Sequence, residues 1–216
     1  MIACSLAAVL SRPAHRAAGG VLVADLAGDA AAVLGLPEPT GPGLAEWLAA
    51  GPDVAATALG RLEVEGGPGL RLLGWKRPGP GFRPGPGRAE ALVDALTADA
   101  RPVVADCGAA DEGAGLAVAA AAPVSLLVLR PCYLALRRAL AAPVRPSGVI
   151  LVAEPGRSLG RRDVEDVLGV PVRAEVEVDS AVARAVDAGL LTRRIPRTLE
   201  RALRGAVGGI ARQDAA

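Results

Sequence analysis

From residue 88 onward the chain alternates short apolar runs rich in Val and Leu with segments of helical pattern, and this alternation dictates the fold. The spacing predicts helix 88–98 before strand 102–107, helix 112–121 before strand 124–129, and helix 132–141 before strand 148–153. Helix 161–168 then leads to strand 171–176, followed by a helix at 180–188 and a terminal helix at about 196–211. Apolar runs without polar alternation fit strands covered on both faces, and strands joined through helices cross over and lie parallel. The expected architecture is a three-layer α/β sandwich around a mostly parallel, doubly wound sheet.

The first third is less regular. A helix is expected over 2–10, stopped near Pro13 and followed by the flexible Ala17-Ala18-Gly19-Gly20. Strand 21–26 comes next, and then short helical pieces broken by Pro37, Pro39, Pro42 and Pro52. Leu44, Trp47 and Leu48 recur at helical spacing and mark one apolar stripe. A strand at 70–75 runs into PGPGFRPGPG (78–87), a loop too rich in Pro and Gly for helix or central strand.

Composition removes several function classes. With 24 basic and 23 acidic residues there is no polyelectrolyte signal. Aromatic residues are only 2% of the chain, so the core must be built from many small aliphatic contacts. Cys4, Cys107 and Cys132 are isolated, which fits a reducing cytoplasm. His15 is the only histidine, which nearly excludes a His-based metal site and leaves any Ser-His or Cys-His unit resting on that one residue. The apolar start MIACSLAAVL has no basic residue ahead of it, as a signal peptide would. The Ala-rich stretch Gly113–Leu129 is broken at Pro123 and falls short of the ~20 residues that span a bilayer.

Two runs carry the chemistry. VLVADL (21–26) and PVVADCG (102–108) each end an apolar strand in one aspartate and then break into small residues. Carboxyl ends of parallel strands are where open α/β sheets bind ligands, so Asp25 and Asp106 are expected to face one crevice. A simpler role for each is to cap the helix that follows, and Asp29 suits the N-cap of a helix at 30–34. Gly28, Gly108 and Gly113 are read as turn residues, and Cys107 as a small buried apolar residue.

In this order of segments the chain resembles the MinD/ParA family of deviant P-loop ATPases. VLVADLAGDAAAVLGL (21–36) is similar to that family's second strand, and PVVADCGAADEG (102–113) to its Walker B strand. VSLLVLRPCYLALRRAL (124–140) resembles the next strand and helix, and GVILVAEPGRSLGRRDVEDVLGVPV (148–172) with VDSAVARAVDAGLL (178–191) the closing units. The resemblance implies ATP and magnesium as cofactors, with Asp106 on the metal, Asp25 near the attacking water, and Asp29, Gly108 and Arg130 around the nucleotide. It also implies a homodimer, an activating partner protein, and work in positioning the septum, chromosome, plasmid or secretion machinery. Location would be cytoplasmic, with peripheral attachment to membrane or nucleoid.

Two departures temper those expectations. The family's D-x-D pair has Ala27 in its second place here, which puts hydrolysis in question. No glycine-rich loop with a lysine occurs, and the one lysine, Lys76, matches neither family position. The chain is thus expected to lack the first strand and phosphate loop of the fold, as a truncated or degenerate member. A pseudo-ATPase scaffold without turnover is the second reading, and a ligase of the same superfamily ranks third because no substrate-pocket signature is present. The division expected is an α/β domain over 1–192 and a basic C-terminal helix and tail over 193–216. In that helix Leu199, Leu203, Val207 and Ile210 form one stripe, with arginines opposite that suit either an anionic membrane or DNA, or a docked helix with a solvated face.

Overall fold

A computed structural model of the chain describes residues 1–13, 19–37, 40–51, 53–76 and 82–213, with side chains as far as Val207. His15 and part of the Pro/Gly loop lie outside the described residues. Helix α1 (Ile2–Leu10) precedes β1 (Val21–Asp25), α2 (Ala30–Val33) and α3 (Leu44–Ala49). A 3-10 turn at Ala56–Arg61 leads into β2 (Glu63–Gly67) and β3 (Leu70–Leu73). Alternation then sets in with α4 (Arg88–Thr97), β4 (Val103–Asp106), α5 (Gly113–Ala121), β5 (Leu126–Leu129), α6 (Tyr133–Leu140) and β6 (Gly148–Ala153). Helix α7 (Arg161–Leu168), β7 (Val172–Glu177), α8 (Ser180–Asp187) and α9 (Arg197–Gln213) complete the chain.

The strands form two sheets, one of four in the order β2-β3-β1-β4 and one of three in the order β5-β6-β7. All neighbours run parallel except β2 and β3, an antiparallel hairpin. That hairpin corrects the sequence reading, which placed one strand at 70–75 and none at Glu63–Gly67. A single sheet was expected as well. The structure divides it because β4 pairs with β1 alone and β5 with β6 alone among the described residues.

Strand period 2 sorts the side chains. Val21 and Val23 enter one core with α1, α9 and Val182 of α8, while Leu22 and Ala24 enter another with Leu44, Leu48 and Leu92. The first core also takes Ile150, Ala174 and Val176 from the second sheet, so one helical layer spans both sheets. Helices α6 and α7 cover the opposite face of the second sheet through Leu136 and Val164. Three layers result, as the alternation predicts.

Two contacts show how tightly the layers meet. Gly35, just past α2, and Gly189, just past α8, both have positive φ, and a Cβ on Gly35 would lie 2.4 Å from the Gly189 Cα. Arg88, only 4% exposed, stacks 3.6 Å over the Trp47 ring and donates to the carbonyls of Trp47 and Val54. It is held by carbonyl dipoles and a ring face in place of a carboxylate.

The C-terminal helix is docked. Leu199, Leu203, Ala206 and Val207 are buried in the core shared with α1 and β7. Its stripe from Leu199 to Val207 is therefore inside the protein, the Ile210 side chain lies outside the described residues, and the arginines Arg197, Arg201 and Arg204 face solvent. No helix among the described residues is long and apolar enough to cross a membrane.

Candidate functional site

Asp25 and Asp106 end adjacent parallel strands and are register partners. Their side chains therefore leave the sheet on the same face at its carboxyl edge. The loops that follow also meet, since a Cβ on Gly108 would lie 3.6 Å from that of Ala27. Gly108 has φ +60°, a left-handed conformation that glycine adopts without strain. Ala110, in the same loop, is at φ +50°, and it is the one non-glycine residue with positive φ among the described residues. A left-handed alanine stores on the order of 1 kcal/mol, so this loop is held under strain.

The two carboxylates are in different states. Asp25 is fully buried, and its Oδ1 accepts the Ala27 and Gly28 N–H groups at 3.0 and 2.7 Å. Its Oδ2 accepts the Ala30 N–H at 3.0 Å. Burial pushes the Asp25 carboxyl up, the three backbone N–H groups pull it down, and the nearby Asp106 charge adds to the rise. Asp106 is only part buried and takes one N–H, from Gly108 at 3.2 Å. It keeps lone pairs free at the rim.

Asp29 occupies the N-cap position of α2, yet its side chain makes no capping bond. Asp25 supplies that bond from four residues earlier, through Ala30. Asp29 is left exposed in the loop that follows Asp25.

Arg130 stands at the end of β5, on the second sheet, and pairs with Glu154 at 3.1 Å. Glu154, just past β6, also binds Arg157 at 2.6 Å. No ion pair or hydrogen bond joins Arg130 to Asp25 or Asp106 among the described residues. Asp25, Asp29, Asp106 and Gly108 are thus brought together at one sheet end, while Arg130 belongs to a separate charged group.

Beneath the rim lies the first turn of α1. Burial pushes the Cys4 thiol up to about 12; the chain's amino terminus lowers it, and Asp106 and Asp25 raise it. The start of α1 is therefore within electrostatic reach of both carboxylates. Cys107 is pushed up to about 11, by burial first and Asp106 second, which leaves it an inert thiol. The sequence reading missed Trp75, whose ring closes over Gly28 with Cδ1 3.2 Å from where a Cβ would be. Phe82 meets that indole edge to face at 5.6 Å between centroids. The signal available was an aromatic residue just past a buried parallel strand.

No group of three or more His, Cys, Asp or Glu side chains able to enclose a metal occurs among the described residues. Asp106 suits a magnesium ion that keeps most of its waters and takes one carboxylate from the protein. Asp25, saturated by three N–H groups, suits it less.

Solved structures with this architecture include a ParA family ATPase from Chlorobium tepidum TLS, at TM-score 0.71 and 20% identity over 97% of this chain and 92% of that one. The MinD cell division protein of Aquifex aeolicus matches at TM-score 0.73 and 15% identity, over 97% and 89%. The septum site-determining protein MinD of Pyrococcus horikoshii OT3, complexed with Mg-ADP, matches at TM-score 0.69 and 18% identity, over 97% and 88%. The fold is that of the MinD and ParA ATPases. No family model matches the sequence, and neither does any curated protein.

Proposed function

We propose that this chain is a MinD/ParA-like nucleotide-dependent positioning protein, acting in septum placement, partitioning of chromosome or plasmid, or siting of secretion or pilus machinery. The observation that carries this reading is the register pairing of Asp25 with Asp106 at the carboxyl edge of a MinD/ParA-type fold. In it, Asp106 would hold a magnesium ion, which would supply charge neutralisation for a bound nucleotide. Asp25 orders the loop that follows β1 through its three N–H bonds and would take the place of the acid near the attacking water, and Asp29 and Gly108 would lie beside the nucleotide. Arg130 takes the base side, which requires it to leave Glu154. The Mg-ADP complex of the Pyrococcus protein is what suggests the cofactor pair.

No glycine-rich lysine loop occurs in these 216 residues, so the reading requires phosphate contacts from a segment outside them. The start of α1 near both carboxylates and the unpaired edges of β4 and β5 favour a place for such a segment between the two sheets. As a positioning protein the chain works as a homodimer in the cytoplasm, with an activating partner and a membrane or nucleoid surface. Since the apolar stripe of α9 is buried, that surface would meet the exposed arginines and not an inserted helix face.

One observation favours a second reading, a scaffold that keeps the fold without turnover. The Asp25 carboxylate is already occupied by three N–H groups, and the family's second acidic position is Ala27. Titration with a fluorescent ATP analogue, with and without magnesium, separates the readings. The 216-residue chain is expected to bind weakly or not at all. A form extended at its amino end by a glycine-rich lysine loop is expected to bind only with magnesium, and to lose that dependence on Asp106→Ala. An extended form that ignores nucleotide leaves the scaffold.

A further inference from the structure

Residues of α8, the turn after it and the first residues of α9, none of them among the rim aspartates, border an open groove of about 750 Å³. Its lining is largely apolar, with Ala181, Ala185, Ile195, Pro196 and Leu190, the last 40% exposed. Arg184, Arg194 and Arg197 stand around it. None of the three pairs with a carboxylate among the described residues, and Arg184 donates only to the Ser180 hydroxyl, at 3.0 Å. The one acidic side chain in the lining is Asp179. Its oxygens accept the Ala181 N–H at 2.7 Å and the Thr198 hydroxyl at 2.9 Å, and its charge acts on Arg184, so it offsets one of the three arginines and leaves a net positive lining.

In a chain with 24 basic and 23 acidic residues, three guanidiniums against one carboxylate in a mostly apolar lining are a local excess of positive charge. We propose that this groove docks an acidic amphipathic peptide segment of a partner protein. Charge complementarity calls for carboxylates on the occupant, which guanidinium forks bind directionally. The apolar lining calls for aliphatic side chains spaced between them, as when an amphipathic helix lies in a groove. A nucleic acid backbone would leave the apolar lining unused, and a flat bilayer would not enter a groove. The inference does not depend on nucleotide binding by this chain.

The test is fluorescence anisotropy with a labelled Leu/Ala/Glu peptide of roughly 14 residues whose leucines share one helical face. Saturable binding that weakens as salt is raised is expected. Arg184→Glu, Arg194→Glu and Arg197→Glu together should weaken it about tenfold or more. Ala185→Trp fills the groove without changing charge and should weaken it comparably, with thermal melts confirming that both variants are folded. Arg137→Glu with Arg138→Glu, on the exposed face of α6, should leave affinity within about twofold. The proposal is overturned by the absence of saturable binding, by equal loss in the α6 variant, or by equal binding of a peptide with scattered leucines. Binding of phosphatidylglycerol vesicles in place of the peptide overturns it too, in favour of a lipid surface.

Discussion

A carboxylate at the end of a wholly apolar strand survives burial only if its oxygens are met, and Asp25 meets three N–H groups of the loop it anchors. Asp25→Ala leaves those donors without a partner and is expected to cost about 2–4 kcal/mol in denaturant unfolding. An unchanged midpoint would mean that water replaces the carboxylate, and that the loop does not depend on it. Ala110 offers the opposite sign. Its φ of +50° is left-handed, so Ala110→Gly is expected to raise stability by up to about 1 kcal/mol, seen as a higher melting temperature. Destabilisation instead would show that the Ala110 methyl has a packing role. Both residues lie in loops that meet at the rim, so the crevice combines one satisfied acid, one open acid and one strained turn.

At the scale of elements, the edge hairpin is tied to the loop before β4 by Arg101. Its guanidinium binds Glu63 at 2.7 Å and Asp99 at 2.7 Å. Hydrogen bonds from Arg101 are the main reason both carboxyls sit below the usual range. Groups depressed on folding give stability that is present above the unfolded carboxylate pKa, near 4, and lost as pH falls through the lower folded values. Arg101→Met is therefore expected to cost about 1–2 kcal/mol at neutral pH and much less at about pH 2–3. A pH-independent loss would point to packing and not to the ion pairs. Asp25 works against this trend, because burial raises its pKa and its ionisation destabilises the fold as pH rises. The same hairpin marks where sequence reading fell short. The βα units from 88 onward were legible because continuous apolar runs and helical stripes need no partner to be recognised. Strand β2 has a Glu-Val-Glu pattern whose only buried member is Gly66, so it exists through pairing with β3 and showed no apolar signature of its own. Asp25 and Asp106 were legible as acids ending apolar strands. The capping of α2 by Asp25 in place of Asp29, the cover of Trp75 over Gly28 and the pairing of Arg130 with Glu154 all depend on how loops fold back. Spacing along the chain does not encode that.

For the whole molecule the governing fact is the interruption between β4 and β5. Strand β1, at the centre of its sheet, is buried along its full length, whereas the equally apolar β4 is only part buried throughout. On the other side Leu126 and Leu127 are part buried and Val128 is 44% exposed. Among the described residues neither edge has a second strand partner, which leaves backbone groups beside apolar side chains, the combination that recruits strands from other molecules. The helical layer of α1, α8 and α9 ties the two sheets together from one face, so the interruption does not divide the protein into two cores. Self-association should therefore be set by these edges more than by stability. Val128→Lys places a charge on the β5 edge at a position already open to water. It is expected to change unfolding stability by no more than about 0.5 kcal/mol while reducing concentration-dependent light scattering. The same lysine at Val64, 40% exposed on the outer hairpin strand, serves as the comparison, because β2 is the opposite edge of the first sheet. If Val64→Lys suppresses scattering and Val128→Lys does not, association runs through the outer edge of β2, and the interruption between the sheets is closed to other chains.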